Sequence, residues 1–159
     1  MMLDKNFFNK LAVETSKKYR ALIFDPKGKG KKATDVYGKP YKGYSTNYKK
    51  QKTKGNLKGI DKTPQDAKFK DSKAPVLTGA LMNSFGTAGA YTTGFGFGTV
   101  TKRGLVKKLE DMGRVVSNNQ KPVPDGVADY IMGEFDKNVK GAFKKLRRKY
   151  KRKKINIII

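Results

Sequence analysis

The stretch from Ala74 to Gly113 decides the fold, and it reads APVLTGALMNSFG over residues 74–86, YTTGFGFGTV over residues 91–100 and LVKKLEDMG over residues 105–113. Its first part predicts a short helix that Thr78 caps, with three inward-facing residues, Leu81, Met82 and Phe85. Its last part predicts a helix over Leu105–Met112. Gly113 is expected to end that helix, because glycine readily takes the left-handed conformation at a helix C-terminus.

The middle part of this stretch has the periodicity of a strand. From Tyr91 to Thr101 the larger side chains share one parity of position, and the other parity holds Gly94, Gly96 and Gly98. Successive side chains of a strand point to opposite faces, so one face would be nearly bare backbone that another element can approach closely. We therefore predict a strand over residues 91–101, and a second strand over Arg114–Ser117.

Helical periodicity marks the regions on either side. Residues 4–20 predict an amphipathic helix that Asp4 caps, with an apolar face made of Phe7, Phe8, Leu11 and Ala12. Residues Ala21–Phe24 predict a brief strand before Asp25-Pro26. A long helix is predicted from Asp125 to about Tyr150, and its apolar seam is Val127, Ile131, Phe135, Val139, Phe143, Leu146 and Tyr150.

Residues 27–73 are rich in lysine, glycine and tyrosine and lack regular periodicity. We predict a long loop or extended basic arm there, mostly outside the core. The predicted fold class is α+β, with an N-terminal helix, a small antiparallel β-sheet or sandwich, a short mid-chain helix, a long C-terminal helix and this arm. Residues 1–159 are expected to form a single domain, with residues 144–159 as a basic C-terminal tail.

The residue types present exclude several classes of function. The chain has no cysteine and no histidine, which removes disulfides, thiolate zinc sites and a histidine general base. Its acids are sparse, and the run GKGKKAT at residues 28–34 lacks the spacing of a phosphate-binding loop. The glycines at 94, 96 and 98 miss the dinucleotide-binding pattern. We expect no enzyme activity, no cofactor and no metal.

The charge of the chain points to an anionic partner. Lysine and arginine number 37 against 13 acids, for a net charge of +24. Most of these cations are lysines, which favours diffuse contact with a nucleic-acid backbone or an acidic protein over base reading. A solvated basic surface is the simpler alternative. The residues expected to contact nucleic acid or an acidic partner are Lys29, Lys31, Lys32, Lys49, Lys50, Lys52, Lys144, Lys145, Arg147, Arg148, Lys151 and Arg152.

The chain ends in the β-prone sequence INIII after a run of lysines. A free apolar end of this kind favours aggregation, so we expect it to pair with a sheet edge, in the same chain or in a neighbouring one. If it pairs with a neighbour, Ile155, Ile157, Ile158 and Ile159 form an inter-subunit strand. No apolar run approaches the length that crosses a bilayer, and the N-terminus lacks the pattern of a signal peptide. We therefore expect no membrane association and synthesis in the cytosol of the producing cell.

Two short motifs resemble those of bacteriophage virion-morphogenesis proteins, the tail-completion and head–tail joining proteins. Thr78, Gly79, Leu81 and Ser84 match a "TG-x-L-x-x-S" turn, and Leu105, Leu109 and Gly113 match loosely a later apolar motif that ends in glycine. The proline-containing residues 122–126 and the helix after them match the order of elements in that family. Lys107 and Lys108 stand where the family usually has an aromatic residue or histidine.

The resemblance implies a small α+β subunit of the virion that forms a homo-oligomeric ring around the DNA channel, as a neck, tail-completion or tail-terminator protein. Its expected partners are portal, adaptor or tail components, with nonspecific proximity to DNA. Its expected location is the virion, assembled in the host cytoplasm. A nonspecific nucleic-acid-binding protein, associated with a nucleoid or with ribosomes, is the alternative that explains the charge equally well.

Overall fold

The computed structural model describes residues 3–48, 50, 74–75, 80–91, 93–99 and 102–154, with only the backbone at 87–88 and 146–154. The elements follow in the order α1 (Lys5–Ile23), α2 (Ala80–Ser84), β1 (Gly86–Ala90), β2 (Phe95–Gly98), α3 (Arg103–Asp111) and α4 (Asp125–Lys154). The predicted α+β class is confirmed, with an N-terminal helix, a small antiparallel sheet, a short mid-chain helix and a long C-terminal helix.

Helix α1 begins as its sequence predicts and ends later. The Asp4 carboxylate accepts a hydrogen bond from the backbone N–H of Phe7 at 2.8 Å, which satisfies one of the open donors of the first turn. The predicted strand at Ala21–Phe24 is wrong. The helix continues to Ile23 because the helical conformation places the side chains of Ile23 and Phe24 in the core, where both are fully buried.

Strands β1 and β2 form an antiparallel hairpin. Gly86 pairs with Gly98 and Ala90 with Phe95, with a bulge between Thr87 and Gly89. The N–H of Tyr91 donates to the carbonyl oxygen of Gly94 at 2.8 Å and closes the turn. The strand predicted over residues 91–101 is therefore correct for residues 95–98, whereas Tyr91, Thr93 and Gly94 lie at the turn. Residues 92, 100 and 101 lie outside the described residues. Its partner GTAGA lacks an alternating pattern, so its sequence did not predict a strand.

The second strand predicted at Arg114–Ser117 is wrong, because this segment is irregular. Its backbone bonds to three different elements instead of to one neighbouring strand. The N–H of Arg114 donates to Leu109 at 2.7 Å, and the carbonyl oxygen of Val115 accepts from Val36 at 2.9 Å. The carbonyl oxygen of Val116 accepts from the Tyr19 hydroxyl at 2.6 Å.

The hydrophobic core has two parts. The larger part joins the C-terminal half of α1 to α2, to residues 115–116 and to the start of α4. It includes Tyr19, Ile23, Phe24, Phe85, Val116 and Val127. Ala33, Val36 and Tyr41 also lie in it, although the sequence analysis placed most of residues 27–73 outside the core. The smaller part joins the N-terminal half of α1 to β2 and α4 through Phe7, Phe8 and Leu11, with Phe95, Ile131 and Phe135 packed against them.

Helices α1 and α4 pack antiparallel. Phe135 lies against Phe7 and Phe8 near the start of α1, with ring centroids 5.6 Å apart in both pairs, whereas Val127 joins Ile23 near its end. After Phe135, α4 therefore passes the N-terminal end of α1, and residues 137–154 project beyond it. Within the described residues, neither α4 nor any other helix is long and apolar enough to span a membrane.

Candidate partner and nucleic-acid interface

The first basic group lies in a tight turn after α1. Asp25 organises this turn: one carboxylate oxygen accepts from the N–H of Gly28 at 3.0 Å and the other from the N–H of Lys32 at 2.9 Å. Its backbone carbonyl accepts from Gly30 at 2.8 Å. Lys29, Lys31 and Lys32 are exposed around the turn. Three candidate contact residues thus lie on an ordered loop.

The second basic group lies on the projecting half of α4. Residues 137–154 carry eleven lysines and arginines and no acid, whereas residues 125–136 carry four acids and no lysine or arginine. Lys144 and Lys145 are exposed. The remaining candidates on this helix, placed by its backbone, are Arg147, Arg148, Lys151 and Arg152. Helix α4 is therefore a rod with an acidic half packed on the core and a basic half projecting from it.

The two basic groups lie at opposite ends of α1. The turn with Lys29 follows the C-terminal end of α1, and residues 137–154 extend past its N-terminal end. The 19 residues of α1 span about 28 Å at 1.5 Å per residue. The predicted contact residues therefore do not form one patch. Lys50 is exposed; Lys49, Lys52 and the predicted strand over residues 155–159 lie outside the described residues.

Two of the tyrosines between the lysines, the buried Tyr41 and the half-buried Tyr44, pack around Arg114. The Arg114 guanidinium lies 3.8 Å from the ring centre of Tyr44 and 5.9 Å from that of Tyr41, and its Nη2 donates to the carbonyl oxygen of Lys42 at 2.6 Å. The Tyr44 hydroxyl donates to Ala74 at 2.9 Å. Burial raises the pKa of Tyr44 to about 12 although the nearby Arg114 charge lowers it. Base stacking on Tyr41 and Tyr44 would require this packing to open.

Arg114 was missed by the sequence analysis, which treated the segment 114–117 as a strand. Its side chain is only 5% exposed, and its stacking on tyrosines 70 positions earlier has no local signal in the sequence. Arginine suits this position because its planar guanidinium can stack on a ring while it donates in its own plane. The arrangement anchors residues 41–44 to the segment that follows α3.

An open cleft of about 880 Å³ lies between the hairpin, α3 and the loop at 117–122. Its walls carry the charged residues Arg103, Lys107 and Glu110 and the amides of residues 118–120. Glu110 Oε1 accepts from Asn118 Nδ2 at 3.2 Å, so this carboxylate helps to hold the loop. Glu110 is the single acid among the described residues that line the cleft.

The described residues include no group of three or more acids, histidines or cysteines that could hold a metal ion. Comparison of the chain with protein-family models, with curated proteins and with solved structures gives no match. The chemistry and placement of its own residues must therefore support any proposal about its function.

Proposed function

We propose that the protein is a structural subunit of a bacteriophage virion, located at the head–tail interface as a neck or tail-completion protein in a ring around the DNA channel. The observation that carries the proposal is the projecting half of α4. An 18-residue helical extension with eleven cations repels itself, and residues 137–145, whose side chains the structure describes, belong to neither part of the core. Such an element is useful to a protein that completes its contacts in an assembly.

The hairpin supports subunit assembly in a second way. The sheet of the described residues has two strands, β1 and β2, so each strand has one edge whose backbone groups can pair with another chain. Two-stranded sheets are marginally stable alone, and edge strands readily accept a strand from a neighbour. A ring of subunits offers such neighbours to every copy.

Among the motif residues that the structure describes, Leu81, Ser84 and Gly113 have structural roles that suit a resemblance of fold, whereas Thr78 and Gly79 lie outside the described residues. Leu81 is buried in the core. The Ser84 hydroxyl donates to the carbonyl oxygen of Leu81 at 2.7 Å and accepts from the Thr99 hydroxyl at 2.8 Å, which ties the end of α2 to the end of β2. Gly113 takes φ +70° just after α3, a conformation that favours glycine. These residues support a scaffold rather than a reaction.

In this proposal the basic surfaces face acidic portal, adaptor or tail proteins of the virion, and they lie near DNA without reading its sequence. The competing function is nonspecific nucleic-acid binding by the free chain. The basic half of α4 favours it specifically, because a dense row of cations on a helix neutralises phosphates and releases counterions.

Light scattering on the chain alone, with purified virion components and with duplex DNA, at low and high salt, tests the two functions. A head–tail subunit is expected to form a discrete ring or partner complex that survives high salt. A nucleic-acid-binding protein is expected to gain mass only with DNA, with an affinity that falls steeply with salt. That second result would overturn the proposed virion role.

A matched pair of variants sharpens the test. Lys144→Glu with Lys145→Glu reverses charge on the projecting helix, and Lys29→Glu with Lys31→Glu makes the same change in charge at the other end of α1. If the projecting helix is the assembly element, the first variant is expected to lose the partner complex and the second to retain it. Equal loss in both would indicate general electrostatics and contradict the proposal.

A further inference from the structure

Helix α4 carries an exposed apolar stripe beside the face that packs on α1. Met132, Val139 and Phe143 are 64%, 37% and 68% exposed. At about 100° of rotation per residue, these three positions fall within about 40° of one another around the helix. Ile131 and Phe135, which pack against the smaller core cluster, lie to one side of this stripe.

The stripe arises from the spacing of the apolar seam. Each step of four residues advances about 400°, so a seam with that spacing rotates by about 40° per step around the helix. Val127 is fully buried, Ile131 and Phe135 are half-buried, and Val139 and Phe143 are exposed. The seam therefore leaves the core gradually and emerges on a face that the described part of the chain leaves open.

The charges beside this stripe change sign along the helix. Asp129 and Asp136 flank it in the acidic half and Lys140 flanks it in the basic half, all on the side away from α1. Asp129 and Asp136 are both exposed. On a chain of net charge +24, neither has an ion pair within the described residues, unlike Asp125 and Glu134. The charges along this flank are therefore complementary to those of a second copy of α4 that runs in the opposite direction.

An antiparallel copy of the helix fits this pattern in one register. A two-fold axis between Lys137 and Asn138 sets Met132 opposite Phe143 of the second copy. The same axis keeps the charged flanks on one side of the pair and brings Asp136 level with Lys140 of the second copy. Such an interface is isologous, so each contact occurs twice. An acidic foreign protein would satisfy Lys140 but would leave Asp129 and Asp136 facing acids.

We propose that this stripe of α4 is a self-association surface, through which two copies of the chain pair antiparallel by contact of Met132 with Phe143 and of Asp136 with Lys140. The surface is separate from the hairpin edges invoked for the ring. The proposal goes beyond the proposed virion role and does not depend on it: a dimer can form in a chain of any function, and a ring can form without this dimer.

Charge reversal tests the pairing of Asp136 with Lys140. Sedimentation at the concentration where the native chain is half dimeric is expected to show dimerisation at least about tenfold weaker for Asp136→Lys alone and for Lys140→Glu alone, because like charges then face each other. A mixture of the two variants is expected to recover the dimer. Within each chain of that mixture positions 136 and 140 still carry like charges, so only pairing between copies explains recovery.

Cysteine cross-linking tests the register. The native chain has no cysteine, so Met132→Cys and Phe143→Cys each introduce a single thiol at an exposed site. Oxidation of the mixed variants is expected to give a disulfide-linked dimer, and oxidation of either variant alone is expected to give far less. A native chain that stays monomeric, a mixture that fails to recover, or equal cross-linking by the single variants would each overturn the proposal.

Discussion

Tyr19 of α1 donates a hydrogen bond from its buried hydroxyl to the carbonyl oxygen of Val116, 2.6 Å away and 97 positions later in the chain. The ring of Tyr19 also contacts Phe85 and Phe97, with centroids 4.7 Å and 5.0 Å apart. Burial raises the pKa of the Tyr19 hydroxyl well above its usual value, which favours the neutral form that donates this bond. One side chain thus joins α1, the hairpin and the irregular segment after α3.

Removal of the Tyr19 hydroxyl tests how much its hydrogen bond to Val116 contributes to the free energy of unfolding. Tyr19→Phe retains the ring contacts but leaves the buried carbonyl oxygen of Val116 without this donor, which costs about 1–3 kcal/mol. Urea unfolding is expected to show that loss. Tyr37→Phe is the matched control, because Tyr37 is 43% exposed and its hydroxyl accepts a hydrogen bond from Asn118 Nδ2 at 3.0 Å near the surface. Equal effects of the two substitutions would contradict the structural role assigned to Tyr19.

The pKa of Tyr44 gives stability a dependence on alkaline pH. Burial raises this pKa to about 12, whereas an unfolded tyrosine ionises near about 10. The contribution of neutral Tyr44 is therefore complete below pH 10 and is lost as pH rises towards 12, since the unfolded chain releases its proton first. Between pH 9 and 12 the native chain is expected to lose more stability than Tyr44→Phe. Lysine deprotonation affects the native chain and Tyr44→Phe alike. If the unfolding free energies of the two proteins fall in parallel with pH, the ionisation of Tyr44 does not control this loss of stability.

Arg114 is expected to require its guanidinium. Arg114→Lys keeps the positive charge but loses the planar stack on Tyr44 and the directed bond to Lys42, at a cost of about 1–3 kcal/mol in unfolding free energy. Chemical denaturation measures this cost. Arg103→Lys is the control, since Arg103 is exposed on α3, and it is expected to change stability by less than about 0.5 kcal/mol. A tolerated Arg114→Lys would show that charge alone is sufficient there.

The sequence predicted those elements whose signal is local. The cap at Asp4, the end of α3 at Gly113 and the long helix from Asp125 each follow from a few neighbouring residues, and the structure has all three. The strand prediction at residues 21–24 was wrong because a run of four apolar residues is compatible with a helix end as well as with a strand. Burial of Ile23 and Phe24 decided between the two, and that burial depends on distant parts of the chain.

The candidate surface could be predicted only in part. The charge density of residues 144–154 is visible in the sequence, and so is the apolar seam of α4. The burial of Val36 and Tyr41 is not, because lysine and glycine dominate the composition around them. The stacking of Arg114 on Tyr44 depends on a close approach of distant segments. The point where the seam leaves the core depends on where α1 begins relative to α4, which is a property of the packing.

Gly104 in α3 and Gly113 just after it allow the effect of backbone conformation to be separated from the effect of available space. A methyl group added at either glycine would meet nothing within 4 Å, but only Gly113 has a positive φ, of +70°. Gly113→Ala is expected to lose about 1–2 kcal/mol of stability, because the left-handed region strains a residue with a Cβ atom. Gly104→Ala is expected to be neutral or to gain up to about 1 kcal/mol. Thermal unfolding of both variants checks the pair, and a stable Gly113→Ala would contradict the assigned conformation.

Phe135 and Phe143 lie two turns apart on α4 and are expected to respond oppositely to truncation. Phe135 packs against Phe7 and Phe8, so Phe135→Ala removes core contacts and is expected to cost about 2–4 kcal/mol. Phe143 is 68% exposed, so Phe143→Ala is expected to change the stability of the monomer by less than about 0.5 kcal/mol.

Urea unfolding at protein concentrations well below those of self-association measures both values without a contribution from pairing. Repeating the measurement at high concentration separates folding from association: the loss for Phe143→Ala is then expected to grow, because binding to the folded state alone adds to apparent stability. The loss for Phe135→Ala is expected to be large at both concentrations. A large cost for Phe143→Ala in the dilute monomer would mean that the seam stays in contact with the core past Phe135, and the exposed stripe of α4 would not exist.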